Sequence, residues 1–277
     1  MSDGVRTMRR RSQLYVPANN PRMIAKAAVI EADSIVFDLE DSVPPEEKEA
    51  ARRSLGSALR KADWGRRELG VRINAPGTPD GERDLAALAA ESQVSMLVVP
   101  KAESDLSPLG RATGKALIPI IETARGVLHI EDVVRSEGVV AVTYGAGDIA
   151  TSVGGDIEAY GRNVYVKTRL VIAAAAYGLE AIDRVYFDLE DDDGFRTEAV
   201  EAKRLGYVGK QVVHPNQVRL ANEIFSPTED EIRWARQVVQ AYEDAARQGR
   251  GAIRVRDRLV DAVHYRGAKK TLERAGL

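Results

Sequence analysis

Short apolar runs and helix-like segments alternate along most of the chain. The runs are rich in Val, Ile and Leu and are too short for stable helices, whereas the segments between them have apolar residues at helical spacing. Strict alternation with short connections predicts parallel strands covered by helices. The predicted strands are, in order, 12–17, 34–37, 70–74, 96–101, 117–121, 139–144, 183–188 and 209–214.

Eight strand–helix units favour a closed α/β barrel, the TIM (β/α)8 fold, over an open sheet. The 277 residues are close to the length of ~250 residues that is typical of this fold. We therefore assign residues 1–225 to the barrel and expect its active site at the carboxyl ends of the strands. The helices predicted between the strands include 22–31, 44–60, 81–91 and 162–177.

Residues 226–277 follow a barrel that is already complete, so we predict a C-terminal helical extension. Ser226 is the predicted N-cap of a helix that reaches about residue 247, and Asp261 begins a last helix. A strand-like stretch, 253–260, lies between them. This extension must pack either on its own barrel or on the barrel of a neighbouring subunit.

Composition narrows the classes of function. Cysteine is absent, which excludes disulfides, thiolate metal sites and a Cys nucleophile, and three His residues disfavour a zinc cluster. The 40 Lys and Arg residues nearly balance the 42 Asp and Glu residues, so the charge calls for neither nucleic acid nor membrane. No apolar run approaches the ~20 residues of a membrane span, and residues 1–11 lack the apolar stretch of a signal peptide. We predict a cytoplasmic protein.

Acidic residues follow two neighbouring predicted strands. Glu122 comes directly after strand 117–121, and Asp148 follows strand 139–144 through a Gly-rich turn. The two carboxylates could converge on one hard cation, Mg²⁺ or Mn²⁺, at the same end of the barrel. The alternative is that each acid caps the helix after it.

Arg72 lies inside the apolar run of the predicted strand 70–74. Its fork of donors, placed beside a metal, can bind a carboxylate or an enolate oxygen. The alternative is an ion pair with Glu40 or Asp41, which follow the second strand. His214 is better explained as a hydrogen-bonded strand-end residue than as a base.

Three further residues are candidates for binding a ligand. Gly147 could let a ligand approach the backbone closely. Arg11 and Lys26, near the first strand-to-helix connection, could meet phosphates, although solvated surface is the default for both.

Seven motifs occur in order along the chain: RSQLYVP (11–17), FDLEDSV (37–43), VRIN (71–74), VPK (99–101), IETARG (121–126), GAGD (145–148) and HPNQ (214–217). Together they resemble the citrate lyase beta subunit and its relatives, the malyl-CoA, methylmalyl-CoA and citramalyl-CoA lyases of the HpcH/HpaI aldolase superfamily. The resemblance covers nearly the whole chain and implies a TIM barrel, Mg²⁺, and reversible carbon–carbon cleavage of a 3-hydroxyacyl thioester.

The resemblance also implies roles for individual residues. Glu122 and Asp148 look like the metal ligands, and Arg72 looks like the residue that steadies the enolate or the keto acid. Glu40 and Asp41 look like groups that hold Arg72 and metal-bound water.

The segment 258–262 resembles the one in which these lyases place an acid/base Asp that reaches the active site of the adjacent subunit. Asp261 matches that residue. The Gly usual before the segment is replaced by Asp257, however, and the Pro usual after it by Val263. The alternative for Asp261 is the N-cap of the last helix.

The leading hypothesis is a Mg²⁺-dependent acyl-CoA lyase that cleaves malyl-CoA, citramalyl-CoA or citryl-CoA into acetyl-CoA (or a homologue) and glyoxylate, pyruvate or oxaloacetate. The alternatives are the beta subunit of a multi-subunit citrate lyase acting on a carrier-protein thioester, a malyl thioesterase, and a non-catalytic keto-acid-binding relative. The resemblance implies a homotrimer or hexamer. The sequence leaves open which acyl-CoA and keto acid are used.

Overall fold

Eight parallel strands close into a barrel in the order in which they follow along the chain. The structure, a computed structural model, describes residues 9–277. Strand β1 pairs with β2 on one side and with β8 on the other, which closes the sheet. The predicted TIM barrel is confirmed. The strands are β1 Ser12–Pro17, β2 Ser34–Asp38, β3 Glu68–Arg72, β4 Met96–Val99, β5 Ala116–Ile121, β6 Ala141–Tyr144, β7 Glu180–Asp183 and β8 Gly209–Val212.

Helices follow each strand, as the alternating pattern predicts. They are α1 Pro21–Ala27, α2 Lys48–Lys61, α3 Pro79–Leu88, α4 Ser107–Thr113, α5 Ala124–Leu128, α6 Ile130–Val134, α7 Ala146–Val153, α8 Ile157–Gly161, α9 Val164–Ala176, α10 Asp192–Leu205 and α11 Pro215–Phe225. A 3₁₀ turn, Pro45–Glu47, precedes α2. The first helix ends at Ala27 rather than at residue 31, because the chain closes into a turn in which Val29 is exposed.

Apolar side chains from alternate strand positions fill the barrel interior. The packed cluster includes Val36, Met96, Val98 and Ile118. Gly70 gives Met96 its space, because a Cβ at position 70 would lie 2.5 Å from the Met96 Cε. The barrel is therefore a filled core and not a pore.

Charged side chains close the base of the barrel, where the strands begin. Arg10, just before β1, contacts Glu68 at the start of β3 and Glu180 at the start of β7, at 2.6 Å each. Ser34, at the start of β2, also donates to Glu68. Each acid thus has a partner, which buried carboxylates require.

The predicted seventh strand, 183–188, is wrong: β7 is Glu180–Asp183. The more apolar stretch that follows forms a loop in which Phe187 is 70% exposed. The true strand begins with Glu180, which is partly exposed and contacts Arg10, and ends with Asp183, whose full burial is possible because it contacts Lys210 at 2.5 Å.

The chain divides into two compact units, with the boundary between Glu223 and Ile224. The second unit contains helix α12 Glu229–Ala246, a hairpin of β9 Ala252–Val255 and β10 Arg258–Asp261, and helix α13 Ala262–Ala275. Its small core includes Val238, Val260 and Ala268.

The predicted N-cap of α12, Ser226, is wrong, because Thr228 caps this helix. The Thr228 side chain accepts from the Glu231 N–H while the Glu231 side chain accepts from the Thr228 N–H, a reciprocal capping box. Within residues 9–277, no helix is both long enough and apolar enough to span a bilayer. Residues 1–8, part of the segment in which we expect no signal peptide, lie outside the described residues.

Candidate metal and substrate site

A cavity of about 460 Å³ opens at the carboxyl ends of the barrel strands. Glu122 follows β5, Asp148 lies in the first turn of α7, and Arg72 ends β3; all three line this cavity. Their chain positions are remote from one another, and the barrel brings them together because the ends of parallel strands share one face.

Arg72 is held by acids at the end of the neighbouring strand. Its Nε and Nη2 donate to the two oxygens of Asp38 at 2.8 and 2.6 Å, and its Nη1 lies 2.9 Å from Glu40 Oε2 and 3.7 Å from Asp41. The predicted partners Glu40 and Asp41 are thus present, but the bidentate partner is Asp38. Burial favours the neutral form of Asp38, yet the hydrogen bonds and charge of Arg72 outweigh it and lower the pKa of the Asp38 carboxyl.

Lys101 connects the acids of the first strands to Glu122. Its Nζ donates to Glu40 Oε1 at 2.8 Å, and its backbone N–H donates to Glu122 Oε1 at 2.7 Å. The residue has a φ of 51°, in the left-handed region that side chains other than Gly and Asn rarely adopt. In this conformation the backbone N–H of Lys101 contacts Glu122 while its side chain contacts Glu40.

Glu122 is a buried carboxylate near other acids. Burial, followed by the charges of Glu40 and Asp148, raises its pKa to about 8. Thr123, rather than Glu122, caps the following helix, because its side chain accepts from the Gly126 N–H. Gly145 leaves room for the carboxylate, since a Cβ there would lie 2.6 Å from Glu122 Oε2.

These residues fit a hard divalent cation. The charge of Asp148 contributes to the raised pKa of Glu122, so a positive charge between the two carboxylates would stabilise them, and carboxylate oxygens are the ligands that Mg²⁺ prefers. Among the described residues, no three His, Cys, Asp or Glu side chains form a complete cage for a metal. Glu122 and Asp148 would therefore hold the ion with open positions for water and substrate.

A buried lysine supports the turn that carries Glu40. Lys48 on α2 donates to the carbonyl oxygens of Leu39 and Glu40, both at 2.9 Å, and to Asn74 Oδ1 at 2.6 Å. Asn74 in turn donates to Asp84. All three ammonium hydrogens of Lys48 have an acceptor, and two of these bonds hold the backbone carbonyl groups of Leu39 and Glu40 in place.

The remaining predicted site residues have different locations. Gly147 lines the cavity with open space around it. Lys26 is exposed on α1, one turn from the cavity residue Met23. Arg11 is not brought to the cavity, because it precedes β1 and pairs with Asp33, at the base of the barrel.

Two other candidates form local hydrogen bonds. The His214 Nδ1 accepts from the Asn216 N–H, as expected of a strand-end residue. In the second unit, Asp261 caps α13 by accepting from the N–H groups of Val263 and His264. The hydrogen bond from the His264 side chain and these backbone bonds lower the pKa of Asp261.

Four further residues line the cavity but are not among the predicted site residues. They are Tyr15 and Gln211 from the barrel interior, and Arg184 and Phe187 from the loop after β7. Alternation along β1 and β8 was the signal available for the first pair, because it places both side chains on the inner face.

Comparison with known proteins identifies what this chain is similar to. The family model described as HpcH/HpaI aldolase/citrate lyase matches residues 11–107 and 109–215. The chain is 34% identical over 274 residues to the (3S)-malyl-CoA thioesterase of Cereibacter sphaeroides strain KD131, with 96% of this chain and 94% of that protein covered. It is 33% identical over 299 residues to the L-malyl-CoA/beta-methylmalyl-CoA lyase of Cereibacter sphaeroides strain ATCC 17029, at the same coverage.

A solved structure with a similar fold is that of protein CitE from Mycobacterium tuberculosis in complex with magnesium, acetoacetate and coenzyme A. It superimposes with a TM-score of 0.83 at 33% identity and covers 99% of this chain and 100% of that chain. Because the match extends over both units, it includes the C-terminal extension as well as the barrel.

Proposed function

We propose that this chain, which belongs to the HpcH/HpaI aldolase/citrate lyase family, is a Mg²⁺-dependent carbon–carbon lyase of 3-hydroxyacyl-CoA thioesters. The products would be acetyl-CoA, or a homologue, and a small keto acid such as glyoxylate, pyruvate or oxaloacetate. The observation that carries the proposal is that Glu122, Asp148 and Arg72 line one cavity. The magnesium and coenzyme A in the related CitE structure support it.

The bound ion would polarise the oxygen that becomes the carbonyl of the keto acid. In the cleavage direction the substrate hydroxyl loses its proton, the bond between the α and β carbons breaks, and its electron pair moves into the thioester to form an enolate. Arg72 is suited to stabilise this negative charge because Asp38 fixes its orientation before substrate binds. Glu40 and Asp41 keep the guanidinium in place from the other side.

The enolate carbon must then take up a proton. We assign this step to Asp261 of the extension, acting in the active site of a neighbouring subunit, because segment 258–262 resembles the acid/base segment of these lyases. The assignment requires an oligomer, and we propose a homotrimer or hexamer in the cytoplasm. CoA binding is assigned to Gly147, Lys26 and Arg72.

A thioester panel tests the lyase proposal. Malyl-CoA, citramalyl-CoA and citryl-CoA are incubated with the protein in millimolar Mg²⁺ and, in parallel, in EDTA. We expect at least one thioester to yield a CoA thioester shortened by the keto acid, with activity lost in EDTA and restored by Mg²⁺. Absence of cleavage for all three at millimolar Mg²⁺ would contradict the proposal, and activity that requires added partner subunits would favour a citrate lyase beta subunit.

Hydrolysis of a malyl thioester is the second candidate. The 34% identity to a (3S)-malyl-CoA thioesterase favours it. Product analysis separates the two reactions, because cleavage of malyl-CoA gives glyoxylate and acetyl-CoA, whereas hydrolysis gives malate and free CoA.

A further inference from the structure

The inner wall of the cavity carries a polar pair from the barrel interior, Tyr15 on β1 and Gln211 on β8. Both residues line the cavity, although they are only 8% and 5% exposed. The Gln211 Nε2 donates to the Tyr15 hydroxyl oxygen at 2.7 Å. Tyr15 packs among aliphatic residues such as Val36 and Ile120, whereas the register partner of Gln211 on β1 is the buried Gln13.

The hydroxyl of Tyr15 has one hydrogen-bonding function left. A phenol can both accept and donate a hydrogen bond. The Tyr15 hydroxyl oxygen already accepts one from Gln211, so its hydrogen remains to be donated. Within residues 9–277, the Tyr15 hydroxyl hydrogen has no protein acceptor. A buried donor without an acceptor costs free energy, so a ligand in the cavity that accepts this hydrogen gains an interaction that the protein itself leaves unmade.

The phenol lies close to both parts of the proposed site. The Arg72 Cζ is 5.7 Å from the centroid of the Tyr15 ring, and the charges of Arg72, Asp38 and Glu122 all act on the hydroxyl. Burial raises the pKa of Tyr15 well above its ordinary value, so the group is a neutral donor throughout the working pH range. An anionic ligand that Arg72 and a cation at Glu122 and Asp148 would hold would share one cavity with this hydroxyl.

The chemistry of a keto acid defines what this donor can contact. A keto acid that chelates a cation through its carbonyl oxygen and one carboxylate oxygen has a second carboxylate oxygen that needs a donor. We propose that Tyr15 donates a hydrogen bond to the carboxylate of the small keto acid and that Gln211 is a positioning residue that orients the phenol. The inference rests on the proposed function, because it takes the ligand to be a keto acid.

Calorimetry with pyruvate and with glyoxylate in saturating Mg²⁺ tests the pair. Tyr15→Phe removes only the hydroxyl, and we expect the dissociation constant of the keto acid to rise about tenfold or more, as for a lost hydrogen bond to a charged group. Gln211→Met alone should weaken keto acid binding. Added to Tyr15→Phe, it should weaken keto acid binding little further. Affinity for Mg²⁺ without keto acid should not change, whereas a general loss of packing would lower both affinities.

Tyr207→Phe is the matched control, because its buried hydroxyl donates to the Lys167 carbonyl oxygen away from the cavity. Keto acid affinity of Tyr15→Phe equal to that of the wild type, or an equal loss in Tyr207→Phe, overturns the inference. A wild-type protein that binds pyruvate or glyoxylate but cleaves no thioester refutes the lyase. The comparison of keto acid affinity between wild type and Tyr15→Phe then still tests the hydrogen bond from Tyr15 to the keto acid. A wild type that binds neither of these acids nor oxaloacetate overturns the inference, whereas the thioester panel alone decides the lyase.

Discussion

Asp38 binds Arg72 through both of its carboxylate oxygens, at 2.8 Å from Nε and 2.6 Å from Nη2. The same carboxylate accepts from the backbone N–H groups of Glu40 and Ser42. The plane of the guanidinium is therefore fixed by a carboxylate that is itself fixed by the turn after β2. Under the proposed mechanism, such preorganisation would place positive charge beside the forming enolate without any reorganisation during the reaction.

We expect Arg72→Lys to lower kcat by about 10²–10³-fold, because an ammonium cannot reproduce the fork that Asp38 holds. Affinity for Mg²⁺ should change little. Steady-state kinetics on the best thioester of the panel measure the first effect and calorimetry the second. Arg83→Lys, an exposed arginine, is the control, and a kcat within threefold of wild type for Arg72→Lys would remove this residue from the mechanism.

Binding of Mg²⁺ should strengthen as the pH rises towards about 8. Glu122 has a pKa raised to about 8, so below that pH it carries a proton that must leave before the carboxylate can bind a cation. Well below the pKa, apparent affinity should increase about tenfold per pH unit. Calorimetry at pH 6.5 in two buffers of different ionisation enthalpy should detect the release of about one proton for each Mg²⁺ bound. Glu122→Gln should abolish this proton release. A Mg²⁺ affinity that does not depend on pH would contradict the prediction.

Gly145→Ala should weaken Mg²⁺ binding, whereas Gly147→Ala should weaken thioester binding. A Cβ at Gly145 meets Glu122 Oε2 at 2.6 Å and Glu122 Cβ at 2.9 Å, so we expect Mg²⁺ affinity to fall at least about tenfold. A Cβ at Gly147 meets no atom within 4 Å, and Ala is the better helix former. Gly147→Ala should keep its thermal stability and Mg²⁺ affinity but raise the KM for the thioester, and an unchanged KM would show that no ligand approaches this turn.

Asp261→Asn separates capping from acid/base chemistry. Asn is as good an N-cap as Asp, so the melting temperature should stay within about 1 °C while kcat falls at least 10²-fold. Asp261→Ala should lose both activity and about 1 kcal/mol of unfolding free energy, measured by urea denaturation. Full activity in Asp261→Asn would leave the residue with its capping role alone.

Lys48→Met should lower the free energy of unfolding by about 2–3 kcal/mol, because three buried acceptors lose their donor. Urea denaturation measures the change. Lys61→Met, an exposed lysine at the end of the same helix, should change it by less than about 0.5 kcal/mol. Equal effects of the two substitutions would show that the Lys48 hydrogen bonds contribute nothing to stability.

Most of the barrel could be predicted because buried parallel strands are continuous apolar runs. The seventh strand could not, since it begins and ends in the carboxylates Glu180 and Asp183, whose partners Arg10 and Lys210 are remote in sequence. The N-cap at Thr228 could have been predicted from Glu231 three residues later, the pattern of a capping box.

The residues of the site were likewise predictable only in part. Residues that follow strands, such as Glu122 and Asp148, were predictable because a shared barrel end needs no side-chain detail. Arg11 was placed near phosphates although it precedes its strand, which puts it at the opposite end; the chain direction already contained that information. The contact of Tyr15 with Gln211 depends on the register that joins β8 to β1, and register between the first and last strands is not visible in an apolar pattern.

The ion pairs of Arg10 with Glu68 and Glu180 lie at the base of the filled barrel, at the end opposite the cavity. Under the proposed function, both ligands would reach the site through the cavity at the carboxyl ends of the strands, with the bulky CoA thioester outside the small acid. Synthesis would then have to load the acid first, and breakdown would have to discharge the acyl-CoA before the acid escapes.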